Sequence, residues 1–171
     1  MGDNGTKDNS GQPGFSAEAM AEYERILGRY PVPRAALMPV LWLAQKEFGW
    51  ISPEVEAYIA SLMELPRAWV EGVVSFYTMY YTRPMGRHHI QVCTNLSCRL
   101  RGADAIVSAV RRRLGIEPGE TTADMGFSLD TVECLASCGT APMLQLGDRY
   151  VENLDVGAVL KLIDELEKED R

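Results

Sequence analysis

Four cysteines, the only four in the chain, are the residues whose type and spacing could do chemistry. They lie in two stretches, Cys93-Thr94-Asn95-Leu96-Ser97-Cys98 and Cys134-Leu135-Ala136-Ser137-Cys138, a C-x4-C followed by a C-x3-C. Four thiolates can hold one tetrahedral metal ion or one iron–sulfur cluster. A zinc site built from two such loops usually grips the metal with C-x2-C turns, although wider spacings occur. Neither stretch is C-x2-C, and the plant-ferredoxin run C-x4-C-x2-C is absent. Two wide loops suit a broader object, a rhomb of two irons and two sulfides with one iron gripped by each loop. Spacing alone leaves four readings open: an iron–sulfur cluster, a zinc ion, disulfides, or buried unliganded thiols.

A cluster of two ferric ions, two sulfides and four thiolates is already dianionic, and reduction adds a further negative charge. Its surroundings must stabilise that charge. A helix is expected after Cys98 with its N-terminus toward the site, where free N–H groups carry partial positive charge. Arg99 and Arg101 either add full positive charges there or are ordinary surface charge. Gly102 and Gly139 permit close backbone approach, and Leu96, Leu135, Ala141 and Met143 are expected to keep water away. His88 and His89 raise the alternative of a mixed His/Cys centre, but four cysteines already suffice and both histidines read as structural.

The elements that must position these loops follow from periodicity and turn signals. His88 to Val92 reads as a strand delivering Cys93, and Phe127 to Val132 as a second strand delivering Cys134. Between them a helix is expected after Arg99-Leu100-Arg101-Gly102, running to about Leu114 and capped by Gly115, then a loop, Glu117-Pro118-Gly119-Glu120. Met143–Leu146 and Tyr150–Glu152 read as a hairpin about Gly147-Asp148, and Asp155 caps a last helix reaching about Lys168. That order fits a four-stranded mixed sheet with flanking helices, both cysteine loops leaving C-terminal strand ends, where sites commonly lie.

The first half reads differently. Residues 1–15 are polar and rich in Gly, Asn and Ser, and are expected to be a disordered tail. Ser16 caps a helix to about Arg29. A second runs from about Arg34 to Phe48 with Pro39 in its first turns, a third follows Ser52-Pro53-Glu54 to about Met63, and a fourth runs from Leu65-Pro66 to about Phe76. The expected organisation is thus a tail over 1–15, a helical subdomain over 16–82, and an α/β domain over 83–171. Trp42, Trp50, Trp69, Phe76, Tyr77, Tyr80 and Tyr81 read mainly as core, with Phe76–Tyr81 as an alternative docking surface.

Composition narrows the classes. The chain has 171 residues, is 46% hydrophobic and carries a net charge of −7. It can bury a core, and its acidity argues against binding nucleic acid, which needs a basic surface. The longest apolar run, about Ala36–Ala44, is interrupted by Pro39 and too short to span a bilayer, so no direct membrane insertion is expected. The polar start is neither a secretory signal nor a transit peptide, which points to the cytoplasm, where disulfides are disfavoured. No Ser/His/Asp set, no phosphate-binding Gly-x-x-x-x-Gly-Lys and no Gly-x-Gly-x-x-Gly occurs. The chain is therefore not expected to bind a nucleotide or to complete a reaction alone.

Together these stretches resemble a known family. They are Gly49-Trp50-Ile51-Ser52-Pro53-Glu54, Val74-Ser75-Phe76-Tyr77-Thr78-Met79, His89-Ile90-Gln91-Val92-Cys93-Thr94-Asn95 to Cys98, Leu100-Arg101-Gly102-Ala103, and Gly115 to Thr121. Val132-Glu133-Cys134-Leu135, Cys138-Gly139, Ala141-Pro142-Met143 and Tyr150 to Leu154 complete the set. With them the chain resembles the small 2Fe–2S subunit of NADH:quinone oxidoreductase (respiratory complex I), bacterial type, over nearly everything but the tail. The resemblance implies a thioredoxin-like ferredoxin fold and one 2Fe–2S cluster on Cys93, Cys98, Cys134 and Cys138. It implies docking on a flavoprotein subunit that holds FMN, NADH and its own 4Fe–4S cluster, with single electrons exchanged between that FMN and this chain's cluster. Hydride chemistry then belongs to the partner. It also implies a peripheral place on the cytoplasmic side of the inner membrane, and is compatible with a homodimer when the chain is isolated.

Equivalent subunits serve NAD(P)-linked formate dehydrogenases and hydrogenases, which the cysteine loops do not separate from the respiratory enzyme. Other readings are a stand-alone ferredoxin, which would have no use for the helical part, a zinc-stapled adaptor, and a thiol–disulfide oxidoreductase, which would want C-x-x-C. One departure from the family matters: Ala136-Ser137 stands where Gly-Ala is usual, so the loop must avoid positive φ at Ala136 or bear strain. Ala141-Pro142 occupies the place of the thioredoxin-fold cis-proline, and a cis bond is expected there.

Overall fold

Ser16 sets the start of the first helix: its side-chain oxygen accepts from the Ala19 N–H at 3.2 Å. The computed structural model describes residues 13–170 and divides into two compact units between Pro84 and Met85. Of the expected tail, residues 1–12 lie outside the described residues. Its end does not behave as expected, because Phe15 is anchored. Its ring stacks on Phe48 and meets Tyr58 edge-on, and its N–H donates to the Tyr58 hydroxyl at 3.0 Å. One aromatic side chain, isolated in a polar sequence, found a cluster of others.

In the first unit α1 spans Ala17–Leu27, α2 Leu37–Phe48, α3 Pro53–Leu62 and α4 Arg67–Phe76. The chain enters α2 through a 3₁₀ turn, Pro33–Ala36, so the helix begins later than Arg34 and Pro39 falls in its first turn, where its missing N–H costs little. Ser52 caps α3 by accepting from the Val55 N–H at 3.2 Å. The core joins Val40, Leu41, Ala44, Ile51, Val55, Ile59, Val70 and Val74. The aromatic run divides: Tyr80 is buried and donates to the Met38 carbonyl at 2.9 Å, whereas Trp42, Trp69 and Phe76 are exposed.

In the second unit β1 spans His88–Cys93, α5 Leu96–Leu100, α6 Ala103–Leu114, β2 Glu120–Thr121, β3 Phe127–Val132, β4 Leu144–Leu146, β5 Arg149–Val151 and α7 Val156–Glu169. The sheet order is β2-β3-β1-β4-β5. β1 and β3 run parallel, with α5 and α6 in the crossover between them, and the other pairs are antiparallel. The sheet has five strands rather than four, because Glu120 and Thr121, expected to be in or beside a loop, pair with Leu129 and Ser128. Ile106 and Val110 of α6 and Val159, Ile163 and Leu166 of α7 share a core with Ile90, Val92, Leu129 and Leu144 of the strands.

Gly86 fixes how β1 approaches β3. A Cβ there would lie 2.6 Å from the Phe127 backbone, and the Gly86 N–H donates to the Ser128 hydroxyl at 2.7 Å. His88 and His89 are both engaged by carboxylates, Nε2 to Asp170 at 3.2 Å and Nε2 to Asp130 at 2.6 Å.

Candidate metal centre

Parallel pairing places the two cysteine loops together. Cys93 is the last residue of β1 and pairs with Val132, the last residue of β3, so both chains leave the sheet side by side at one end. The Thr94 N–H bonds the Val132 carbonyl at 2.9 Å, and the Cys93 thiol donates to the Glu133 carbonyl at 3.4 Å. Cys134 follows directly. All four cysteines are free thiols.

Cys98 is not in a loop before a helix, as the sequence implied, but inside the short helix α5, whose first turn is capped by the Asn95 side chain accepting from the Leu96 N–H. Gly102, at φ +104, then reorients the chain into α6. Cys93 and Cys98 are buried with Ala103, Ala141 and Met143, so the first turn of α6 does lie beside the first pair. Burial, and then the neighbouring Cys93 thiol, push Cys98 up to about 11, while the Met143 backbone N–H pulls the other way. The Cys138 thiol adds to the rise.

Cys134 and Cys138 are exposed. Their loop adopts the strained alternative: Ala136 sits at φ +60, and from there its N–H donates to the Cys134 sulfur at 3.4 Å. Cys138 opens a 3₁₀ turn, Cys138–Thr140, after which the Ala141-Pro142 peptide is cis as expected. One expectation for the surroundings fails. Leu96 does not dry the site, being 69% exposed, because α5 turns it outward along with Leu100. Of the two readings of Arg99, ordinary surface charge is the one its exposed pairing with Asp104 at 3.3 Å favours. Ala141 and Met143 are buried and Leu135 is half-buried against them, as expected.

The donor set fits an iron–sulfur cluster. Four free thiols come from two loops at adjacent strand ends, and backbone N–H groups reach two of the sulfurs. A closed zinc site wants four ligands about 2.0–2.3 Å from one point. Among the described residues no three His, Cys, Asp or Glu side chains gather closely enough to hold a single metal ion.

The sequence missed Glu152. Its Oε1 accepts from the Thr140 hydroxyl at 2.6 Å and also bonds the Ser137 hydroxyl, so one carboxylate holds both sides of Cys138.

Residues 23–167 match the family of thioredoxin-like [2Fe-2S] ferredoxins. The chain is 42% identical over 150 residues to a subunit of the NADH-quinone oxidoreductase of Rhizobium meliloti (strain 1021), covering 88% of this chain and 89% of that one. It is 39% identical over 155 residues to a subunit of the NADH-quinone oxidoreductase of Rickettsia bellii (strain RML369-C), covering 89% and 93%. Its fold is similar to part of an NAD+-reducing [NiFe]-hydrogenase solved in the air-oxidized state, with a TM-score of 0.69 and 21% identity, covering 78% of this chain and 23% of that one.

Proposed function

Because the chain belongs to the thioredoxin-like [2Fe-2S] ferredoxin family, we propose that it is the electron-transfer subunit of a multi-subunit NADH:quinone oxidoreductase, holding one 2Fe–2S cluster on Cys93, Cys98, Cys134 and Cys138. The observation that carries this reading is the placement of two thiol pairs at the ends of the adjacent parallel strands β1 and β3. When bound, such a cluster takes up and gives back one electron at a time.

The chain's own residues do the rest. Thiolates are the ligands, so the four cysteines must give up their protons as the cluster is loaded. The Met143 backbone N–H, directed at Cys98, favours its thiolate form, and the Ala136 N–H donates to the Cys134 sulfur. Ala103, Ala141 and Met143 exclude water from the first pair.

The proposed partner is the flavoprotein subunit that binds FMN and NADH, and hydride oxidation belongs to it. Leu96 and Leu100, four residues apart on α5 and 69% and 78% exposed, put apolar surface beside Cys98, which supports docking at this end. Among the described residues no helix is long and apolar enough to cross a membrane. The place we assign the chain is peripheral, on the cytoplasmic side of the membrane.

Anaerobic purification with iron and sulfide analysis, visible absorption and low-temperature EPR tests the reading. About two irons and two sulfides per chain, with an S = 1/2 signal only after dithionite, are expected. A colourless protein with one tightly bound zinc overturns it. Co-purification with an FMN-containing subunit separates a complex component from a free ferredoxin.

A further inference from the structure

The second cysteine loop has little packing to hold it, since Cys134, Ala136 and Cys138 are all exposed. Hydrogen bonds take that role. Oε1 of Glu152, immediately after β5, lies against both the Ser137 and the Thr140 hydroxyls, and those hydroxyls are 2.7 Å from each other. The Thr140 N–H donates to the Ser137 carbonyl at 3.2 Å, and the Asn153 N–H donates to the Thr140 carbonyl at 2.8 Å. Cys138 therefore sits between two residues tied to one carboxylate across 12 and 15 positions of sequence.

We propose that Glu152 is a positioning residue for the cluster: it clamps the Cys138 side of the second loop and holds a negative charge beside it that lowers the cluster's reduction potential. The inference rests on the cluster reading above. The clamp restricts where the Cys138 sulfur can point, so the loop does not have to be ordered at each loading. The charge acts on electron uptake, because a carboxylate near an anionic centre disfavours a further negative charge. The Ser137 hydroxyl, and then that of Thr140, hold the Glu152 carboxyl below the usual carboxylate range, so it is ionised at neutral pH. Glu152 is exposed, and solvent screening keeps its effect on the potential modest.

The test compares the full-length, anaerobically purified holoprotein with Glu152→Gln, Glu152→Ala and Ser137→Ala. Glu152→Gln keeps an oxygen acceptor and removes the charge. It should retain iron and shift the one-electron equilibrium toward reduction by up to tenfold, about 59 mV upward in an EPR-monitored titration. Glu152→Ala removes clamp and charge, and should release iron to a chelator several-fold faster as well as shifting the potential upward. Ser137→Ala loosens the clamp and leaves the charge, so it should speed iron release with a smaller change in potential. An unmoved potential in Glu152→Gln, or wild-type iron release in Glu152→Ala, overturns the proposal. Wild-type protein lacking the reduced-state signal overturns the cluster reading and this inference together. A normal wild-type signal with unmoved variants overturns this inference alone.

Discussion

The first cysteine loop leaves the end of β1 and enters α5, and its two thiols are 3% and 2% exposed against Ala103, Ala141 and Met143. The second leaves the adjacent strand β3, exposes both of its cysteines, and carries a left-handed Ala136. Both serve one proposed site, but different forces hold them. Packing is non-directional and cooperative, so a packed loop keeps its shape without a ligand. Hydrogen bonds to a surface carboxylate are individually weak and compete with water. The difference implies one half-site ordered by packing and one whose order depends on the hydrogen bonds to Glu152.

Replacing a ligand gives the largest effect on either side. Cys98→Ser and Cys134→Ser should each lose the cluster, read as iron per chain falling toward zero. Unchanged iron in either variant removes that cysteine from the ligand set. The apoproteins should differ. Cys98→Ser buries a hydroxyl in an apolar pocket and should destabilise the fold by about 1–3 kcal/mol in urea. Cys134→Ser, at an exposed position, should leave apoprotein stability unchanged.

Met143→Ala tests the packed half directly. Met143 is 1% exposed, and truncating a buried methionine to alanine costs about 2–5 kcal/mol. Urea unfolding should show that loss in the apoprotein. Equal stability of variant and wild type would mean that packing around Cys93 and Cys98 is not what orders the first loop.

Much of this arrangement was legible in the sequence. Alternating residues marked β1 and β3, and the cysteines stood at their ends, so the two loops could be assigned to strand termini before any topology was known. The parallel pairing that brings them together belongs to the fold. α5 was missed because five residues are too few to show a helical period, although Asn95 was a readable cap. β2 was hidden by Pro118 and Gly119 and by having only two residues. Phe15 and Glu152 were not readable at all, because their partners lie 12 to 43 residues away and only the fold makes them neighbours.

The buried half also predicts a pH response in the apoprotein. An unfolded thiol titrates near about 8.5, whereas Cys98 in the fold is held protonated up to about 11, first by burial and then by Cys93. A raised acid pKa means that the folded state keeps a proton the unfolded chain releases. The contribution is fully present below about pH 8.5 and falls by about 1.4 kcal/mol per pH unit as pH rises toward 11. Urea midpoints measured across this range should decline, less steeply in Cys98→Ser and unchanged in slope in Cys134→Ser. Iodoacetamide at pH 8 should modify Cys134 and Cys138 well before Cys93 and Cys98.

The smallest effect belongs to Ala136. A left-handed φ costs an alanine roughly 1–2 kcal/mol relative to its preferred regions, and a glycine almost nothing. Glycine returns part of that gain because its unfolded chain is freer, by about 0.4–1 kcal/mol. Ala136→Gly should therefore stabilise the chain by up to about 1 kcal/mol. How the gain divides between apo- and holoprotein carries the information. If the apo loop already holds Ala136 at φ +60, both forms gain equally in thermal unfolding. A gain confined to the holoprotein would mean that the exposed loop adopts this conformation only around its cluster, making the contrast between the two loops sharper still.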